Sequence, residues 1–208
     1  MQTSLVQLKG VTLIMQNEPA IPNVESMIKS NLQAGLTYEQ RQKLAKIDNF
    51  DWTLVSHRLM RSPVAVFLVW LQMPFSRKFR WNAVSRYVRE AIASFKQWYA
   101  VATVLSQGEW AISKELDDFG WHPIQLFSAE YRELCFATLG THLDHAPFLA
   151  GRKEGEAEQL VALYRQTAEE IRRWFDAVDH HFVPHYISIA DVICKCRAVP
   201  AQQQMVFA

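Results

Sequence analysis

Glycine is scarce in this chain, at seven of 208 residues, too few for the glycine-rich loops that cradle dinucleotides. No G-x-S-x-G elbow and no G-x-x-x-x-G-K-[ST] loop occurs, so neither the nucleophile of an α/β-hydrolase nor a phosphate loop is signalled. Cysteine is rarer still. Cys135, Cys194 and Cys196 cannot build a disulfide framework, which suits a reducing, cytoplasmic setting. The C-K-C segment lacks the second cysteine pair of a structural zinc site, leaving only two nearby histidines to complete one. The start, MQTSLVQLKG, has no basic stretch followed by an apolar run and a small-residue cleavage site, so no export is expected.

An excess of charge of either sign is also missing. Twenty-two basic residues face 21 acidic ones, for a net charge of +1, and no global field draws a polyanion. Long apolar runs are absent too. The most apolar stretch, from Val64 to Met73, lies between Pro63 and Pro74 and falls short of the roughly 20 residues a membrane span needs. It is expected to be a buried core segment, with no membrane involved. No repeat of solenoid or propeller length is visible.

What is present is core material. Half of the residues are hydrophobic and seven are tryptophan, a composition that builds one packed domain over 1–208. The organisation expected is a strand and loop lead-in over 1–22, a helical core over 23–183 and a tail over 184–208. Val11, Leu13 and Met15 alternate with polar neighbours as in a strand. Asn23 is placed to cap a helix to about Gln33, Thr37 and Gln40 form a capping box, and Asp51 can cap a helix to Arg61.

From Trp81, apolar residues at Val84, Val88, Ile92, Phe95, Trp98, Ala102 and Leu105 recur every three or four positions, predicting a long amphipathic helix. Gly108 and Gly120 bracket a shorter helix around Ile112 and Leu116, and Ser128 can cap one that ends at Gly140. Leu160, Tyr164, Ala168, Ile171, Phe175 and Val178 predict a second long helix from near Gly155, with Glu169 and Arg173 paired along it. In the tail, Ser188 and Asp191 favour a short helix over the strand that Ile187 and Ile189 also permit. The fold class expected is therefore mainly α, a single helical domain of about six to eight helices with two long amphipathic ones. A minor N-terminal β element completes it.

Charge is regional. Between Ser56 and Gln97 stand Arg58, Arg61, Arg77, Lys78, Arg80, Arg86, Arg89 and Lys96 against Glu90 alone. The following stretch to Glu133 is acidic. Arg86, Arg89 and Lys96 recur opposite the apolar stripe, and Arg77, Lys78 and Arg80 precede the helix, where they oppose its dipole. A phosphate backbone would favour them there, with Phe75, Phe79 and Trp81 as stacking partners. An ordinary solvated face, or docking onto the acidic 109–133 region or an acidic partner, explains the same pattern.

Histidines are the second candidate. His142 and His145 bracket Asp144, while His180, His181 and His185 cluster after Asp179 at the end of the second long helix. Spacings of three and four suit metal ligands on one helical face, but Pro184 interrupts a helix there and no E-x-x-H pair accompanies it. Adjacent Asp117 and Asp118 do not face each other on a helix and read as surface. The leading expectation is a non-catalytic nucleic-acid-associated accessory protein or assembly subunit without a cofactor. A metal-dependent helical enzyme and a protein-binding adaptor are the alternatives.

Overall fold

A computed structural model describes residues 5–8, 11–14, 20–61, 63–78, 82–147, 155–185 and 192–198. The chain is mainly α, as expected. It opens on an antiparallel hairpin, β1 (Leu5–Leu8) with β2 (Val11–Ile14), in which Leu8 pairs with Val11. The single helix expected after Asn23 is instead two short turns, α1 (Val24–Met27) and α2 (Ser30–Gln33). The break comes at Ile28, which forms a bridge with Phe175, while the Lys29 N–H donates to Trp174 O at 2.9 Å. Asn23 makes no side-chain cap. The Asp48 carboxylate accepts the Val24 N–H instead, at 2.9 and 3.1 Å.

The local signals that follow hold. α3 (Tyr38–Asn49) starts with both bonds of the Thr37 and Gln40 capping box, at 3.1 and 3.0 Å. α4 (Trp52–Met60) is capped by Asp51, whose carboxylate accepts the Thr53 N–H at 3.0 Å. The apolar segment forms α5 (Pro63–Gln72), followed by the short α6 (Phe75–Lys78).

At the centre lies α7 (Ala83–Ala100), which continues into a π-helical turn over Val101–Leu105. Its apolar stripe carries an aromatic cluster. Phe95 stacks on Trp98 at 5.6 Å between centroids, Trp98 meets Trp121 edge-on at 4.7 Å, and Trp52 meets Phe95 at 6.0 Å. Each such buried ring contributes about 1.5–3 kcal/mol through removal from water. Gly120 is required here, because a Cβ on it would fall 2.4 Å from the Phe95 ring.

The region around Ile112, expected as helix, is strand. β3 (Trp110–Ser113) is followed by the single turn α8 (Lys114–Leu116), a second π turn over Asp117–Trp121, and α9 (His122–Gln125). α10 (Ser128–Leu139) takes Ser128 as its first helical residue rather than its cap, which falls on Phe127, and ends at Gly140 in the left-handed region (φ 75°), where a side chain would be strained. After β4 (Leu143–Pro147) the second long helix, α11 (Glu156–Trp174), stops at Phe175 rather than Val178. The acid that Arg173 pairs with is Glu170, at 3.3 Å.

The tail corrects the largest expectation about the fold. Val192–Ala198 is a strand, β5, and it is the central one of a three-stranded antiparallel sheet ordered β3–β5–β4. Trp110 and His145 both stand opposite Cys196, and Ile112 and Pro147 opposite Cys194. Ser188 and Asp191, whose spacing suggested a helix, lie outside the described residues. Hydrogen bonds fix the sheet to the helices: Trp98 Nε1 donates to Ala111 O at 2.9 Å, and the Ala111 N–H donates to Thr167 Oγ1 of α11 at 3.1 Å.

Candidate functional site

The basic residues singled out in the sequence do not share one outward face. Lys96 is buried, at 2% exposure, and its Nζ lies 2.7 Å from Asp48 Oδ1 and donates to Pro22 O at 2.8 Å. Burial pulls its ammonium below the usual lysine range, and the Asp48 carboxylate opposes that shift. The reason is position. α7 is central, and from Ser94 to its end every residue is buried, so its polar side is covered there as well as its apolar side. Arg77 also turns inward, bonding Glu90 at 2.7 Å and Asp179 at 2.8 and 2.9 Å. Arg86 is exposed, and Arg89 is half-buried and donates to Ser85 Oγ at 3.1 Å. Lys78 lies with Nζ 4.3 Å from the centroid of the Trp70 ring. Arg80, with Phe79 and Trp81, is outside the described residues.

Arg77 brings the two sequence candidates together, since its partner Asp179 also accepts the His181 N–H at 3.0 Å. The His181 ring meets the buried Tyr87, with 2.7 Å between Tyr87 O and His181 Nε2. Burial pushes the Tyr87 phenol far up, with the Glu115 carboxylate adding to the shift. The phenol therefore keeps its proton, and its hydroxyl and the Nε2 of His181 share one hydrogen bond. Burial and then the Arg77 charge hold His181 below its ordinary range, against Asp179. The Arg77 guanidinium also lies over the Phe182 ring at 5.6 Å. This is a packed polar cluster that ties α6, α7 and the segment after α11.

The remaining histidines separate. His180 and His185 stack with 4.6 Å between ring centroids, apart from the Tyr87 contact of His181. His142 packs edge-on against Tyr131 at 5.5 Å. His145 is in β4, opposite Cys196. Among the described residues no three His, Cys, Asp or Glu side chains are grouped to hold a metal ion. No family model, no curated protein and no solved structure matches the chain.

Two features escaped the sequence. Asp117 is fully buried rather than at the surface, and His122 Nε2 lies 3.5 Å from its Oδ2 and Nδ1 3.8 Å from Asp118 Oδ1. The π turn makes this possible, because its i to i+5 bond from His122 N–H to Asp117 O stacks residues that an α-helix would separate. Burial, and next Asp117, hold the Asp118 carboxyl above its usual range. A groove of about 520 Å³ lies elsewhere, lined by Ser26, Glu90, Ser94, Gln97 and Asp179. Gln97 Nε2 donates to Ala177 O at 2.8 Å, while its buried Oε1 has no partner among the described residues.

The second feature is α5. It was expected in the core, yet only Val69 among its residues is buried, with Met73 just beyond. Val64 is 68% exposed, Phe67 55%, Leu68 52% and Leu71 49%. These positions, spaced three or four apart, form one face. Phe75, at 76%, extends the exposed apolar surface beyond the helix end. The signal was legible: ten residues without a charge give a helix with no polar side, so whichever side is not packed must be apolar.

Proposed function

We propose that the chain is a non-catalytic accessory or assembly protein that docks onto a partner through the outer face of α5. One observation carries this reading: Val64, Phe67, Leu68 and Leu71 present a contiguous apolar stripe to solvent while Val69 anchors the same helix in the core. Contiguous exposed apolar surface of this kind marks interaction sites, because leaving it in water costs free energy that a partner recovers. Arg77, Lys96 and His181, candidates in the sequence, are engaged within the chain with Asp179, Asp48 and Tyr87.

A nucleic-acid partner is the second reading, favoured by the exposed Arg86 on α7. It depends on fewer cations than the sequence offered, because Lys96 and Arg77 are paired within the chain. The docking reading is tested by retention on a phenyl matrix and thermal unfolding of wild type and Phe67→Ser/Leu71→Ser. The variant should elute earlier at an unchanged Tm, whereas equal retention or a large fall in Tm contradicts an open docking face.

A further inference from the structure

We infer that the surface α5 docks on is an anionic lipid bilayer, with the helix lying flat in the headgroup region. The inference rests on the docking reading above and adds the occupant. Its ground is charge complementarity around the apolar face. No Asp or Glu occurs between Asp51 and Glu90, while Arg58, Arg61, Lys78 and Arg86 all lie in that stretch. Arg61 is exposed directly before α5, and Arg86 is exposed on α7. Lys78 follows α5 and folds back on it, its Nζ donating to Leu71 O at 3.2 Å and resting over the Trp70 ring.

An apolar stripe with cations at both ends and an indole beside it matches what a bilayer interface takes up. Aliphatic side chains enter the acyl boundary, and lysine and arginine meet lipid phosphates. Trp70, half-buried beside Phe67 with their rings 6.1 Å apart, has the amphipathic shape that prefers this depth. No single helix among the described residues is long and apolar enough to cross a membrane.

The same features disfavour the other occupants. A second copy meeting this face about a two-fold axis would bring the Arg61 and Lys78 cations of one copy against those of the other, with no acid in the segment to neutralise them. A nucleic-acid backbone would use the cations but give Val64, Leu68 and Leu71 nowhere apolar to go.

The test is co-sedimentation of the full chain with vesicles of phosphatidylcholine alone and of phosphatidylcholine with phosphatidylserine. Wild type should bind the anionic vesicles more tightly and release as salt rises. Phe67→Ser/Leu71→Ser should lose about tenfold or more in affinity, and Arg61→Gln/Lys78→Gln about fivefold per cation on anionic vesicles only. No binding to either vesicle, or binding indifferent to Phe67→Ser/Leu71→Ser, overturns the inference. In parallel, anisotropy with short DNA and RNA and sedimentation velocity separate the rivals. Oligonucleotide binding without vesicle binding, weakened by Arg86→Ala/Arg89→Ala, transfers the face to nucleic acid. A dimer abolished by Phe67→Ser/Leu71→Ser without vesicle binding leaves docking intact and replaces lipid with a second copy.

Discussion

Asp48 and Lys96 show how one pair of residues can hold several elements. The Asp48 carboxylate accepts the Val24 N–H and meets the Lys96 ammonium, which in turn bonds Pro22 O. α1, α3 and α7 are joined through these contacts. Asp48→Ala would strand a buried ammonium, and removing one partner of such a pair costs about 3–5 kcal/mol. Urea unfolding should report a loss of that size, and a loss under about 1 kcal/mol would show that the pair is screened like a surface ion pair. His181 gives a pH dependence of defined sign. Its folded pKa lies below the ordinary 6.5, so in the window between the two values the unfolded chain binds more protons than the folded one. Its contribution is present above pH 6.5 and lost as pH falls through the folded value. His181→Asn should flatten the fall in stability on acidification from that pH. A slope identical to wild type would contradict the burial of the imidazole against Tyr87.

At the scale of elements, local chemistry was legible in part, the caps expected at Asn23 and Ser128 being absent, and long-range pairing was not. The capping box at Thr37, the Asp51 cap and the glycine stop at Gly140 each act within a few residues, and each is in place. The long helices were read from periodicity, but periodicity assumes that a polar side faces water. In α7 that assumption fails, which is why Lys96 was misplaced on the surface. In α5 no polar side existed to orient the helix, so its open face was read as core. β3 and β5 depend on partners roughly eighty residues apart in sequence, and no local pattern encodes such pairing. The candidate cations were legible by type, while their pairing with Glu90, Asp179 and Asp48 was not. Because β5 is central, its backbone is bonded on both sides, and Lys195→Pro should disrupt the ladder. The expected readout is loss of hydrogen-exchange protection in β3 and β4; unchanged protection there would show that β5 contributes nothing to the sheet.

Among the described residues, the interior holds paired charges and stacked rings, and the outer side of α5 presents apolar surface to water at element length. The aromatic cluster around Phe95, Trp98 and Trp121 and the polar cluster around Arg77 and Tyr87 both pack against α7. α5 is attached to this body through Val69, with Met73 buried just past its end. In the docking proposal, one side of α5 is core and the other stays apolar to meet a partner. Thermal unfolding of Phe67→Glu/Leu71→Glu beside Val69→Glu distinguishes the two sides. The double variant should melt within a few degrees of wild type, since charges placed on an open face meet water. Val69→Glu should lower Tm steeply or prevent folding, because it buries an unpaired carboxylate. Equal, severe destabilisation of both would mean that Phe67 and Leu71 are core residues and that α5 has no open face.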